Sequence, residues 1–198
     1  MSVYSIPPSP TWDDVDFETY ENGFTKEECE RIIALGESLD AIDSVVGDTS
    51  DGQQVSNSIR KSKNSWIELN ETSEWIYARL GKIANDINGM FWRFDLNGFY
   101  EDLQYTRYNE DGDFYGWHID NGMRSGDPPR KLSIVVQLSD PSEYEGGDLE
   151  VHATQHSKVD KAQGLVTVFP SYRLHQVTPV TAGIRRSLVV WLCGPAFR

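Results

Sequence analysis

The sequence predicts a mainly β domain with flanking helices: a double-stranded β-helix, or jelly roll, with N-terminal helices packed on the outer face of one sheet. Two observations carry this expectation. From residue 90 onward apolar residues alternate with polar ones in short runs bounded by Gly, Pro, Asn and Asp, the pattern of strands that bury one face and turn tightly at their ends. Before residue 90, two stretches instead repeat their apolar residues at the 3.6-residue spacing of a helix with one buried side. Helices followed by many short strands fit two layered sheets backed by helices. The 198 residues are read as one domain, since a chain of this size buries roughly 70 % of the surface it exposes when unfolded. Residues 1–90 then supply an arm and supporting helices, and residues 91–198 the jelly roll.

The chain opens with Pro7, Pro8 and Pro10 and the acidic, aromatic run from Trp12 to Tyr20, read as an arm laid on the domain. Thr25-Lys26-Glu27-Glu28 has the form of a capping box, in which the Thr hydroxyl and the Glu carboxylate each satisfy a backbone N–H at the helix start. Cys29, Ile32, Ile33 and Leu39 continue one face, so a helix is expected to about Leu39. Residues 40–65 are rich in Gly, Ser, Asp and Asn and contain Arg60, Lys61 and Lys63. This stretch reads as a loop with solvated charges, and its length also makes it a candidate lid. A second helix is expected over residues 73–88, where Ile76, Leu80, Ile83 and Ile87 form one stripe and Asn88-Gly89 a stop. Strands are expected at 91–97, 103–109, 114–120, 132–138, 147–151, 165–169, 175–180 and 186–193.

Composition narrows the function. The formal net charge is −13 and the pI about 4.6, which repels a phosphate backbone and disfavours a nucleic-acid partner. Cys29 and Cys193 fall on a helix and a core strand, and read as buried thiols rather than a disulfide. No apolar run reaches the length of a membrane span and the Pro-rich start lacks the pattern of a signal peptide, so a cytoplasmic enzyme is expected.

The chemistry gathers on His118 and Asp120. In an extended strand these residues face the same way while Ile119 turns aside. An imidazole and a carboxylate are donors suited to divalent iron, and two His with one carboxylate leave the opposite coordination positions open. A His-x-Asp triplet alone is common and a lone His is more often a hydrogen-bonded core residue. The distinguishing feature is His175, 55 residues beyond Asp120, followed after ten residues by Arg185 past a turn that Gly183 permits. His152 and His156 have the i, i+4 spacing of a rival site. Their context reads as turn and strand, leaving them as exposed or rim residues.

His118, Asp120, His175 and Arg185, in this order and spacing, resemble the 2-oxoglutarate/Fe(II)-dependent oxygenases, specifically the prolyl 4-hydroxylase-like group. The likeness covers about residues 103–193. It implies Fe(2+) held by His118, Asp120 and His175, 2-oxoglutarate as cosubstrate, O2, and ascorbate as an accessory reductant. It implies that Arg185 holds the far carboxylate of 2-oxoglutarate, a task a planar guanidinium performs through two parallel hydrogen bonds. Arg186 faces the other way. Trp191 shares the face of Arg185 and is expected to wall the cosubstrate pocket, or else is simply core. The likeness places Tyr108, ten residues before His118, as a hydroxyl donor to the same carboxylate, with Tyr105 as a neighbouring competitor. Gln137 falls where some relatives place another polar contact, and the alternation of Leu132, Ile134, Val136 and Leu138 turns it to the opposite side. Tyr115 and Trp117 either shape a substrate groove or pack in the core.

The implied reaction is hydroxylation of an unactivated C–H bond, with succinate and CO2 as co-products. Four readings compete. A peptide or protein hydroxylase acting on proline stands first, and a hydroxylase of a free amino acid or other small metabolite second. A nucleic-acid dealkylase would need a basic groove. A silent jelly-roll binding module would need none of the three ligands or Arg185. For the peptide reading, residues 40–65 and 121–131 flank the mouth, where Arg60, Lys61, Lys63, Arg124, Arg130 and Lys131 either meet acidic groups and carbonyls of a substrate or are plain loop charges.

Overall fold

The computed structural model describes residues 15–44, 59–120, 126, 128–152 and 156–196. In chain order the elements are β1 (Glu18–Tyr20), α1 (Lys26–Glu37), β2 (Ile42–Asp43), β3 (Arg60–Lys61), β4 (Lys63–Ile67), α2 (Glu74–Met90), β5 (Gly98–Phe99), β6 (Leu103–Asn109), β7 (Phe114–His118), β8 (Arg130–Gln137), β9 (Tyr144–Gly146), β10 (Leu149–His152), β11 (His156–Lys158), β12 (Val166–Pro170), β13 (His175–Val177) and β14 (Val180–Cys193). The major sheet runs β1-β12-β8-β14-β6-β4-β2, with β5 and β9 also paired to β14. The minor sheet runs β11-β10-β13-β7-β3. Every pairing is antiparallel. This is the mainly β, helix-backed architecture that the alternation of periods predicts.

Each face of the major sheet has its own core. On the helix side Ile32, Ile76, Leu80, Ile83 and Ile87 meet Leu103, Tyr105, Ile134, Val136, Leu188 and Val190. Burying each Leu or Ile of such a stripe contributes about 1.5–3 kcal/mol. On the minor-sheet side Tyr108, Val135, Leu149, Val151, Phe169, Val177 and Val180 pack together. Strand β8 shows the division residue by residue: Ile134 and Val136 belong to the helix-side core and Val135 to the other. Its polar residues Ser133 and Gln137 are therefore carried to the face between the sheets, as the alternation requires.

The capping box of α1 is complete: Glu28 N–H donates to Thr25 Oγ1 (3.3 Å) and Thr25 N–H to Glu28 Oε2 (2.9 Å). Helix α2 runs two residues past the expected stop, because the Asn88 side chain acts on the chain that follows. Its Nδ2 donates to Phe94 O and its Oδ1 accepts from Phe94 N–H, both at 2.9 Å. The strand expected at 91–97 is absent for the same reason. Arg93 takes φ +54°, its N–H goes back to Asn88 O (2.7 Å), and a backbone so engaged cannot join a ladder. Only Gly98–Phe99 pair there.

The expected strand 175–180 divides at Thr178-Pro179, its end opening β14. Gly183 does not end a turn; it lies inside β14 at φ +69°, where a Cβ would stand 2.0 Å from Glu143 O. The loop expected over 40–65 holds β2, β3 and most of β4, and residues 45–58, with the lid reading, lie outside the described residues. So do residues 121–125, and with them Arg124.

Candidate active site

Strands β7 and β13 are neighbours, with His118 opposite His175. One backbone pairing thus joins two residues far apart in sequence. Asp120 lies just past the end of β7, where its N–H donates to Ser171 O (2.8 Å). One ligand atom from each of His118, Asp120 and His175 lies within 4.8 Å of the others. His118 Nε2 is 3.6 Å from Asp120 Oδ1, and His175 Nε2 3.4 Å from Asp120 Oδ2.

The donor set suits a divalent cation in a specific way. His118 Nδ1 lies 2.8 Å from Gly116 O and His175 Nδ1 2.9 Å from Arg173 O. A carbonyl only accepts, so both Nδ1 atoms carry a proton, and whenever a ring is neutral its Nε2 offers a lone pair toward the shared cluster. Ser133 Oγ–H donates to Asp120 Oδ2 (2.7 Å) and, its one proton so committed, accepts from the Ser171 hydroxyl (3.1 Å), fixing the carboxylate's plane. Burial works against ionising Asp120, but the His175 and His118 imidazoles, protonated at the low pH where the carboxyl would titrate, outweigh it and hold that carboxyl far below the usual range. Burial also pushes His118 down to about 4, helped by His175, so its ring is neutral at neutral pH. For His175 burial acts downward and Asp120 more strongly upward. Tyr115 stacks on the His118 ring (3.4 Å between centroids) and Phe169 meets His175 edge-on at 4.7 Å, which restrains both rings.

Arg185 is 1 % exposed. Its partners are neutral: Nη1–H donates to Ser187 Oγ (3.3 Å) and Nη2–H to Gln137 Oε1 (3.0 Å), while Nε is buried with no acceptor. Among the described residues no carboxylate pairs with it. A buried guanidinium in this state is strongly disfavoured unless an anion completes it. Tyr108, the cross-strand partner of Arg185, puts its ring 5.3 Å from the guanidinium. Gln137 Nε2–H donates to the Tyr144 hydroxyl. Gly147, at φ +61°, gives the arginine room: a Cβ there would be 2.8 Å from Arg185 Cδ. Val135, Leu149, Val159, Asp160, Lys161 and Thr167 line the small cavity beside Gln137 and Gly147. A buried guanidinium without a carboxylate among the described residues suits one carboxylate of a ligand.

The parities read from sequence hold. Tyr105 turns to the helix side and donates to Glu37 Oε1 (2.9 Å), as does Arg186 Nε–H (3.1 Å). Trp191 shares the Arg185 face but lies at the metal end: its cross-strand partner is Ser133, and the Arg130 guanidinium covers its ring at 3.6 Å. Trp117 turns outward, half-exposed and edge-on to His152 at 6.0 Å. His152 and His156 are cross-strand partners on β10 and β11, not two positions of one strand.

The loop charges are mostly not free. Arg60 is 6 % exposed, bonded to Ser62 Oγ and Asn64 Oδ1 (both 2.9 Å) and 4.4 Å over Tyr115. Lys61 pairs with Asp113 (3.1 Å), and Arg130 grips Glu101 through two hydrogen bonds (2.6 and 2.5 Å). Lys131 is buried. The sequence reading missed Tyr144, Ser133 and Ser187. Ser133 and Ser187 share the parity of Gln137 and Arg185, a signal that could have found them, whereas Tyr144 comes from β9, which no periodicity marked.

A family model described as the 2OG-Fe(II) oxygenase superfamily matches residues 103–193. The PKHD-type hydroxylase Shewana3_0717 of Shewanella sp. (strain ANA-3) is 36% identical over 179 residues, covering 86% of this chain and 75% of that protein. The PKHD-type hydroxylase YbiX of Escherichia coli O157:H7 is 32% identical over 165 residues, covering 79% and 68%. Two solved structures share the fold. A prolyl-4-hydroxylase from Pseudomonas putida superposes with TM-score 0.65 at 22% identity over 91% of this chain and 94% of its own. A prolyl hydroxylase from Trichoplax adhaerens, in complex with a hypoxia inducible factor oxygen degradation domain peptide fragment, does so with TM-score 0.69 at 21% identity over 90% and 83%.

Proposed function

Because this chain belongs to the 2OG-Fe(II) oxygenase superfamily, we propose that it is a hydroxylase of peptidyl proline, using Fe(II), 2-oxoglutarate and O2. The observation that carries the proposal is the pairing of two features between the sheets: two Nε2 lone pairs and a carboxylate aimed at one point, and a buried arginine without a carboxylate. His118, Asp120 and His175 hold the metal in this reading. Arg185 holds the far carboxylate of 2-oxoglutarate, with Gln137, Tyr144 and Tyr108 around it and Trp191 toward the metal. Residues 1–198 act as one catalytic domain, consistent with a helix-side core drawn from both halves.

Bound iron, with 2-oxoglutarate and O2, supplies the oxidising power that turns a C–H bond into C–OH and releases succinate and CO2. The chain's own contribution is geometric. Ser133 keeps Asp120 in one orientation, and the Gly116 and Arg173 carbonyls keep both imidazoles in the ligating tautomer. His118, Asp120 and His175 would hold the metal from one side, leaving it free to take cosubstrate and oxygen on the other. Val135, Leu149, Val177 and Phe169 make the surroundings apolar, which strengthens the grip of Arg185 on a carboxylate and keeps water from the reacting centre.

Hydroxylation is supported by the relatives' description as PKHD-type hydroxylases, and a peptide substrate by the peptide bound to the Trichoplax protein. Exposed Ile119, Tyr172 and Leu174, each beside a ligand or the loop that bonds to it, offer apolar contacts at the rim. Among the described residues no helix is long and apolar enough to cross a membrane. With two buried free cysteines, this supports the cytoplasm as the working compartment.

The test offers Pro-containing peptides, free proline and methylated oligonucleotides in parallel, with Fe(II), 2-oxoglutarate and ascorbate. Gain of one oxygen atom by a peptide, coupled to succinate, is the expected result. Turnover of free amino acids with none of any peptide overturns it in favour of a metabolite hydroxylase; formaldehyde released from the oligonucleotide overturns both.

A further inference from the structure

We propose that the groove formed by the outer face of α2, the turn at residues 69–71 and Phe99 is a docking site for an extended, basic polypeptide segment with apolar anchors. The groove lies away from the candidate active site. Tyr77 and Phe99 pack with the core between the helices and the major sheet, whereas His118, Asp120 and His175 cluster on the minor-sheet side. Docking there is a binding function separate from the reaction proposed above.

The first observation is a fixed apolar surface left open to solvent, in a groove of about 690 Å³. Leu69 stands at its edge, 61 % exposed, and hydrogen bonds within the turn hold it there. Ser73 Oγ–H donates to Glu68 O (2.5 Å), Asn70 N–H to Ser73 Oγ (3.0 Å) and Thr72 N–H to Asn70 Oδ1 (2.9 Å). On the other side Phe99 meets the Tyr77 ring edge-on at 5.5 Å. The Tyr77 hydroxyl is itself fixed twice, donating to Ile67 O (2.8 Å) and accepting from Leu103 N–H (3.1 Å). Along the helix between them come Ala78 and Gly81, small enough to let another chain approach closely. Apolar surface gathered in a concave site with a polar rim marks a binding surface, unlike apolar residues scattered singly.

The second observation is charge. Glu71 and Glu74 line the groove and are exposed, and among the described residues no cation pairs with either. Lys82, on the same rim, is held by Asp86 (2.5 Å). The rim therefore carries two carboxylates without countercharge, on a chain whose net charge is −13. Two copies meeting through this face would oppose their carboxylates, and the same sign repels a phosphate backbone or an anionic membrane, so the complementary occupant is cationic. Its form follows from the length of the groove. Asn85 lies 11 residues after Glu74 on α2, about 16 Å along the helix, which matches roughly five residues of extended chain. Apolar residues at alternate positions of such a segment can meet Leu69 and Phe99, while Lys or Arg between them bend their long stems to Glu71 and Glu74.

The experiment titrates the full chain, with Mn(II) present, into a fluorescein-labelled peptide of sequence KLKFKLK, which contains no proline, and follows fluorescence anisotropy. The expected result is saturable one-to-one binding that weakens as NaCl is raised, with the peptides ELEFELE and KSKSKSK bound at least about tenfold more weakly. Leu69→Ser should weaken KLKFKLK binding about tenfold, and the double variant Glu71→Gln, Glu74→Gln roughly threefold to tenfold, each with an unchanged circular dichroism spectrum. The control Glu30→Gln, Glu145→Gln removes two exposed charges elsewhere and should leave binding unchanged, as should saturating 2-oxoglutarate. Equal affinity in every variant would mean that only the overall charge attracts the peptide, and would overturn the proposal. Displacement by 2-oxoglutarate would place the peptide at the mouth of the barrel and overturn it too, as would the absence of saturable binding. A dimer seen in sedimentation that dissociates in Leu69→Ser would make the occupant a second copy of the chain, against the charge argument.

Discussion

Replacing Arg185 by Met tests the cosubstrate site through stability as well as activity. The side chain is buried with a positive charge whose partners are neutral: Ser187 Oγ, Gln137 Oε1, the Tyr144 hydroxyl and the Tyr108 ring. Met keeps much of the volume and removes the charge, and exchanging a poorly compensated buried ion for an apolar group is often neutral or stabilising. The ligand-free variant is therefore expected to melt within a few degrees of the parent. The response to 2-oxoglutarate should differ sharply. At a concentration of about 100 Kd the ligand stabilises the parent by about 2.7 kcal/mol, and at 2–4 °C per kcal/mol for a domain of this size the midpoint should rise by about 5–10 °C. Losing a charge-assisted contact worth about 2–5 kcal/mol weakens binding at least about 30-fold, which leaves a shift of no more than about 3 °C at the same concentration. The assay is thermal unfolding without oxygen, with Mn(II) in place of iron so that no turnover intervenes. Metal binding measured alongside should survive, since Arg185 is not among the three clustered ligands. A full shift retained in Arg185→Met, with the shift lost in Arg186→Met, would refute the assignment, because Arg186 is tied to Glu37 on the helix side of the sheet.

Three further outcomes are expected. Ser133→Ala frees Asp120 Oδ2 from its hydroxyl donor and should weaken Mn(II) or Fe(II) binding by about 10–100-fold; metal titration checks it, and unchanged affinity would mean the hydroxyl does not orient the ligand. Tyr144→Phe removes the hydroxyl bonded to Gln137 beside Arg185 and should raise the Kd for 2-oxoglutarate by roughly tenfold or more with metal affinity unchanged, read by calorimetry. Burial pushes the Cys29 thiol up to about 12, so at pH 8 it is the thiol that persists: iodoacetamide should leave Cys29 unlabelled in the native protein and alkylate it after unfolding in guanidinium chloride.

The amino-acid sequence by itself determined the helices, the β character of the second half and the centre of the site. Those features are local. The capping box between Thr25 and Glu28 and the stripe from Ile76 to Ile87 depend on neighbours within a turn or two. The shared face of Gln137 with its strand, and the opposite faces of Arg185 and Arg186, depend only on strand parity. What it left to the tertiary structure depends on register and on competition for backbone hydrogen bonds. Residues 91–97 have the alternation of a strand, yet Asn88 and Arg93 capture that backbone first. Arg60 has the look of a loop charge, yet pairing with β7 buries it over Tyr115. Tyr144 reaches Arg185 only because β9 lies against β14, and Ser133 reaches Asp120 only because β8 and the end of β7 approach within a hydrogen bond. A pattern with a period of two or 3.6 fixes which way a side chain points; which partner it then meets is decided when strands far apart in sequence find their register.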